Sequence, residues 1–247
     1  MTEADVTHDA FLGGLLYLLQ PRSGYRAGLD AVLLSACVKA KKGQSVLELG
    51  CGAGAAILCL GTRVPGLTLV GVERNAGYAA LARRNGGELL EVVQADLTEL
   101  PIELRQRQFD HVLANPPFYD RSASVASDDV AREAARGAET ALKDWVKVAA
   151  KRLAPKGQMH LIHLAQYLPD ILAALPSGIG SVEVLPLAAR AGRDPDRVIL
   201  RARKNGRAAF KLHAPLVLHQ GERHETDRPD YTPAVNEVLK SGAALRF

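Results

Sequence analysis

Asn115-Pro116-Pro117-Phe118 closes the apolar run Phe109-Asp110-His111-Val112-Leu113-Ala114. The asparagine side chain offers a carbonyl acceptor and an amide donor. Pro116 drives Asn115 toward extended backbone, and Pro117 does the same to Pro116. Neither proline has an N–H, so the carbonyls of this tip have no helix or ladder partner of their own making. Phe118 adds a flat apolar face. Together these groups suit the grip of a planar exocyclic amine: oxygens accept its hydrogens while a ring stacks on its face. A rigid strand-to-loop turn would use the same residues, so the assignment depends on what surrounds them.

Upstream, Ser45-Val46-Leu47-Glu48-Leu49 reads as a buried strand running into Gly50-Cys51-Gly52-Ala53-Gly54 and then an apolar helix. Such a turn lets backbone N–H groups approach a ligand at a helix N-terminus. Glu73 lies nineteen residues after Gly54, at the end of the next strand, where an acid can accept both hydroxyls of a ribose. The spacing is Gly-x-Gly-x-Gly rather than the Gly-x-Gly-x-x-Gly of dinucleotide binders. Glu48, two residues before the first glycine, would repel a pyrophosphate and attract an ammonium group. S-adenosylmethionine carries an ammonium, a sulfonium and an adenosine. Asp96, after the third strand, is placed to receive the adenine amine, although a helix cap ahead of Leu97-Thr98-Glu99 is an alternative use for it.

These groups need a scaffold. Beyond the first strand, strands are expected at residues 67–72, 89–94, 109–114, 158–164, 181–187 and 197–203, with a last apolar piece at 216–219. Helices are expected up to about residue 63, at 76–84, from about 130 through 153, and at 168–175. That alternation predicts an α/β fold: a doubly wound, mostly parallel, Rossmann-like seven-stranded sheet. Residues 1–42 form a small N-terminal annex expected to pack on a catalytic domain spanning 43–247. Within the annex, residues 11–20 read as a strand or hairpin ending in a turn at Pro21-Arg22-Ser23-Gly24, and residues 28–38 as a helix with Asp30 as its cap.

Val46-Leu47-Glu48-Leu49-Gly50-Cys51-Gly52-Ala53-Gly54, Val72-Glu73, Ala95-Asp96-Leu97 and Asn115-Pro116-Pro117-Phe118 resemble the class I S-adenosylmethionine-dependent amino-methyltransferases. The annex segments Asp9-Ala10-Phe11-Leu12-Gly13-Gly14, Gly24-Tyr25-Arg26 and Asp30-Ala31-Val32-Leu33-Leu34 are similar to the bacterial valine-tRNA adenine-37 N6-methyltransferase group. So are the tail segments Lys211-Leu212-His213-Ala214-Pro215 and Tyr231-Thr232-Pro233. The resemblance implies S-adenosylmethionine as cofactor and N6-methylation of an adenine in RNA, with tRNA as the substrate of that group. It places Asn115, Pro116, Pro117 and Phe118 at the acceptor site. Its cofactor contacts fall on Glu48, Gly50, Cys51, Gly52, Gly54, Glu73, Arg74, Asp96, Leu97 and Asn115. Arg26 and Asp30 are candidates for the methionine end, with a tethering ion pair and a helix cap as their structural alternatives. Related enzymes with the same tetrad modify a guanine N2 in ribosomal RNA or a protein glutamine. The glutamine enzymes usually carry Tyr where this chain has Phe118, which favours a base over an amide.

Charge and composition bound the rest. The 247 residues are 47% hydrophobic with a net charge of +4 and a pI near 9.0, which permits a nucleic-acid partner. A basic stretch containing Arg201, Arg203, Lys204 and Arg207, together with Arg121 after the proline motif, is the expected RNA track. Cys37, Cys51 and Cys59 have no metal-ligand spacing and read as buried free thiols. His160 and His163, three apart on a strand, read as structural, and no metal is expected. The first residues lack the pattern of a signal peptide, and no apolar run reaches the roughly 18 residues of a membrane span. A soluble, cytoplasmic protein is expected. Two readings of another class are a nicotinamide-dependent oxidoreductase, disfavoured by Glu48 and the Pro-Pro tetrad, and a non-catalytic module that only holds cofactor. The sequence does not give the oligomeric state.

Overall fold

The computed structural model describes residues 5–118, 140–223, 230–245 and 247. The chain opens with a hairpin, β1 (Val6–Phe11) and β2 (Leu16–Pro21), paired antiparallel as a separate two-stranded sheet. Its reversal is at Leu12–Leu15, and after β2 the chain turns off at residues 22–24, where the hairpin was expected to end. Gly13 and Gly14 both take positive φ there, so the glycine pair is the point of reversal. Helix α1 (Leu29–Ala36) follows.

The strands and helices then alternate: β3 (Ser45–Leu49), α2 (Ala55–Arg63), β4 (Thr68–Glu73), α3 (Ala76–Gly86), β5 (Leu90–Gln94), α4 (Ile102–Gln106) and β6 (Phe109–Ala114). Beyond residue 139 come α5 (Leu142–Arg152), β7 (Leu153–Leu164), α6 (Leu168–Ala174), β8 (Ile179–Ala188), β9 (Pro195–Lys204), β10 (Lys211–Leu212), β11 (Leu216–Val217) and α7 (Pro233–Ser241). The expected helix from residue 130 through 153 is described only from Leu142, and Leu153 already belongs to β7. The earlier part of that helix and the loop before it lie outside the described residues.

Seven long strands form the sheet in the order β8-β9-β7-β6-β3-β4-β5, and the two-residue β10 and β11 each pair with β8. This is the doubly wound sheet the alternation predicts. Val46, Leu47 and Leu49 of β3 have no exposed surface, as befits a strand covered by helices on both faces. Strands β3 to β7 run parallel, while β9 runs antiparallel between β7 and β8. From β3 the chain builds outward through β4 and β5, then returns to place β6 on the other side of β3. That reversal of direction opens a crevice at the strands' carboxyl ends, where open α/β sheets bind ligands. The annex is not separately cored: Phe11, Leu33 and Leu34 share one apolar cluster with Ile57, Leu60 and Ile199.

Asp30 does not cap α1. The N-cap is Gly28, without a side-chain hydrogen bond, and Asp30, in the first turn, pairs with Arg197 of β9 at 3.0 Å. A nearby cation outcompetes the local backbone for this carboxylate.

A candidate methyl-transfer cleft at the switch point

Register puts the two motifs side by side. Leu49 of β3 lies opposite Ala114 of β6, so Gly50 and Asn115 leave adjacent strands at the same level. Gly50 has φ +64°, and a Cβ on it would overlap the ring of Trp145 from α5. Only glycine lets the turn pack this closely. Gly52, at φ +55°, faces the other way: a Cβ there would meet only the Tyr25 ring, at 4.0 Å. The turn therefore presents bare backbone to the cleft. Cys51 is buried and its N–H donates to Val72 O at 2.9 Å, while Gly54 caps α2.

The acids end their strands as expected. Glu48 is 3% exposed and accepts the Ile57 N–H at 3.0 Å. Burial, with Glu73 adding repulsion, pushes its carboxyl up to about 8 against the pull of that N–H. A fully buried acid of this kind is costly unless a cation meets it. Glu48, Gly50, Cys51 and Asn115 line one cleft together with Tyr25 and Tyr78.

Glu73 accepts the N–H of Gly52 at 2.9 Å and of Asn75 at 2.7 Å, so the acid at the tip of β4 also holds the glycine turn. Burial keeps its pKa raised despite those hydrogen bonds and the charge of Arg74. Asp96 caps the 3-10 turn at Leu97–Glu99, accepting the Thr98 N–H and hydroxyl at 2.8 and 2.7 Å. Its other oxygen pairs with Arg74 at 3.4 Å. Partial burial pushes Asp96 up, but the Thr98 and Arg74 contacts outweigh it and leave the carboxyl below its ordinary value. The cap is thus observed, with lone pairs left over for an adenine amine. Leu97 is buried in the core beside it.

Asn115 donates from Nδ2 to the Tyr25 hydroxyl at 3.3 Å. Pro116 is buried and Pro117 exposed. Phe118 is 37% exposed and stands edge-on to His163, centroids 5.2 Å apart, with Tyr167 edge-on to the same imidazole at 5.0 Å. His160 is the structural residue expected, buried against His111 at 3.3 Å. His163 is structural as well, buried as the support beside Phe118. All three cysteines are buried and free.

Arg26 is tied into the annex: it pairs with Asp9 at 2.6 Å and donates to Thr7 Oγ1 and Pro21 O. The ion-pair alternative describes this geometry, as the Arg197 contact does for Asp30. A larger cavity of about 350 Å³ beneath the hairpin contains Asp9 and Arg26. It holds none of the strand-end acids and no part of the proline motif, so the smaller cleft is the candidate site.

The RNA track needs correction. Arg201 is 4% exposed, bound to Glu183 at 2.7 Å and to Phe247 O at 2.6 Å, and is out of reach of a phosphate. Arg203 and Lys204 bond the backbone oxygens of Lys156 and Leu153, at the opposite end of the sheet from the cleft. Asn115 is level with Ile199, and Lys204 lies five residues further along β9, about 16 Å at the rise of a strand. Arg207 lies beyond it and is exposed. The antiparallel course of β9, invisible in its composition, carries these cations away. Arg121 lies outside the described residues.

The residues that sequence reasoning gave no role are Tyr25, Tyr78 and Gln20. No periodicity marks them, and they meet the site only through folding of the front loop. Among the described residues no group of His, Cys, Asp or Glu could hold a metal ion, and no helix is long and apolar enough to cross a membrane.

Known proteins agree with this architecture. A Glaesserella parasuis tRNA1(Val) (adenine(37)-N6)-methyltransferase is 25% identical over 213 residues, covering 84% of this chain and 88% of the relative. The Cronobacter sakazakii protein of the same name is 29% identical over 192 residues, covering 74% and 77%. The crystal structure of a predicted O-methyltransferase from Agrobacterium tumefaciens superposes with a TM-score of 0.72 at 28% identity, covering 87% of this chain and 98% of that one. The family model described as methyltransferase small domain matches residues 27–185, a span that holds the glycine turn, the three acids and the proline tetrad. The chain belongs to the methyltransferase small domain family.

Proposed function

We propose that this protein transfers a methyl group from S-adenosylmethionine to the N6 nitrogen of an adenine in RNA, the adenine at position 37 of a valine tRNA being the favoured target. The observation that carries the reading is the meeting of Asn115 with Glu48 and the glycine turn in one cleft. The names of the sequence relatives support the choice of base and RNA.

The residues present suit this cofactor. Glu48 is a buried acid in want of a cation, Glu73 is a ribose-type acid beside the glycine turn, and Gly52 leaves its backbone bare. When bound, S-adenosylmethionine supplies an electrophilic methyl on a sulfonium that leaves as a neutral thioether. The protein supplies orientation. An adenine N6 lone pair is delocalised into the ring and is a poor nucleophile. Asn115 Oδ1 and the Pro116 carbonyl accept its two hydrogens, aim the lone pair and stabilise the positive charge that grows on nitrogen. Correct placement of two reactants can lower a barrier by roughly 7–11 kcal/mol. Phe118, supported by His163, stacks on the extruded base, a contact worth about 1–3 kcal/mol. No general base is needed before attack, because the alkylated amine sheds its proton readily.

Arg203, Lys204 and Arg207 can touch RNA only where it extends past the far end of the sheet. The test is transfer of labelled methyl from S-adenosylmethionine to unmodified tRNA, ribosomal RNA and total protein offered in parallel. Label in tRNA is expected; label confined to ribosomal RNA or protein would overturn the substrate class.

A further inference from the structure

The loop between β2 and α1 is held in place more firmly than its exposed sequence suggests. Gln20, 3% exposed, accepts the Ala27 N–H at 2.7 Å and donates to Ala27 O at 3.2 Å and Asp9 Oδ2 at 2.8 Å. Its side chain thus imitates a backbone ladder rung. Arg26 joins the same carboxylate, and the Tyr78 hydroxyl donates to Tyr25 O at 2.9 Å. The residue so anchored is Tyr25. The residue is 56% exposed, and it lines the cleft, where its hydroxyl meets the Asn115 amide nitrogen at 3.3 Å.

We propose that Tyr25 is a positioning residue for the transfer: its hydroxyl pins Asn115 Nδ2 and so turns Oδ1 toward the amine to be methylated. This rests on the role given to Asn115 above. An asparagine amide presents an acceptor at one corner and a donor at the other. Reversed, it would aim its own N–H groups at the amine and oppose the reaction. A tyrosine hydroxyl can accept or donate, so something must fix its proton. Burial, and then the fields of Glu48, Asp30 and Tyr78, hold this phenol neutral, with its pKa pushed up to about 12. A neutral phenol keeps lone pairs free to accept the Asn115 Nδ2–H. Asp30 is kept there by Arg197, and Tyr25 itself by Tyr78 and the Gln20 rung. The annex therefore acts on the acceptor tetrad directly, as well as roofing the cleft.

The test is Tyr25→Phe, which removes the hydroxyl and keeps the ring. The full chain is labelled with 15N-asparagine, and the Asn115 side-chain amide signals are assigned by their loss in Asn115→Ala. Tyr25→Phe is expected to shift those signals and speed their exchange with solvent about tenfold, the size of one lost hydrogen bond. The turnover rate should fall about tenfold while the cofactor Kd stays within about twofold, and in the Asn115→Ala background Tyr25→Phe should cost nothing further. Tyr78→Phe, which frees the loop but keeps the Tyr25 hydroxyl, should move the same amide signals part of the way. Unchanged Asn115 signals in Tyr25→Phe would overturn the proposal. So would a Kd that rises as much as turnover falls, since Tyr25 would then be a cofactor contact only. A wild-type chain that methylates no RNA would refute the substrate reading, while the amide signals still decide the role of Tyr25.

Discussion

The two ends of the sheet both carry charged side chains and use them differently. At the carboxyl end, Glu48 and Asn115 line one cleft and Glu73 holds the glycine turn beside it, because parallel strands deliver their tips to the same edge. At the other end, Arg203, Lys204 and Arg207 form a dense run of positive charge in the sequence, yet two of them are bonded to nearby backbone oxygens. Charge density in sequence does not mark function here; arrival at the switch point does. In a parallel sheet that arrival follows from strand direction, and β9, the one long antiparallel strand, takes its basic tail the wrong way.

The largest effect at the cleft end is expected from Glu73→Ala, which removes a ribose acceptor and also frees the Gly52 N–H. Hydrogen bonds to charged groups contribute about 1.5–3 kcal/mol each, so the Kd for S-adenosylmethionine should rise about a hundredfold by calorimetry. An unchanged Kd would remove the ribose assignment. Gly50→Ala should come next. It forces a side chain into positive φ and against Trp145, at a combined cost of about 2–4 kcal/mol, read as a lower Tm.

A smaller effect concerns pH. With its pKa raised to about 8, Glu48 is mostly protonated in the free protein at neutrality. An ammonium prefers the carboxylate, so cofactor affinity should rise by up to about tenfold per pH unit toward pH 8. It should fall again once the ligand amine, with an ordinary pKa of about 8, loses its own charge. The stability of the free protein runs the other way. A carboxyl whose folded pKa exceeds its ordinary value favours the fold most at low pH and loses that contribution as pH rises through about 8. Glu48→Gln should abolish the pH slope of binding, and a slope that survives would assign it to another group.

The smallest effect should come from the far end. Charge reversal at Arg203 and Lys204 should alter the KM for tRNA less than about twofold at moderate salt, because these cations are farther from the cleft than a Debye length of about 8–10 Å. A large rise in KM would return the RNA track to them.

How much of this was legible beforehand follows the same division. The strands and the glycine turn are written in contiguous residue patterns, and Glu48, Gly50, Glu73 and Asn115 fall where those patterns end. The first hairpin was expected from residue 11 but starts at Val6, because Thr7, His8 and Asp9 break the apolar run of β1, while the turn expected at its end follows β2. Arg201 was misjudged because burial beside Glu183 depends on a strand pairing that composition does not reveal. Tyr25 could not be assigned a role, since its contact with Asn115 spans ninety residues. Contacts made by loop closure leave no periodic trace.

The central claim is that Asn115, at the tip of β6, directs the methyl group to the exocyclic amine of an adenine. Its most direct test is mass spectrometry of nucleosides from unmodified tRNA treated with S-adenosylmethionine and either the wild-type chain or Asn115→Ala. The account predicts N6-methyladenosine from the wild type and none from the variant, with both chains binding cofactor alike. Methylation of guanine instead, or equal yields of N6-methyladenosine from the two, would contradict it.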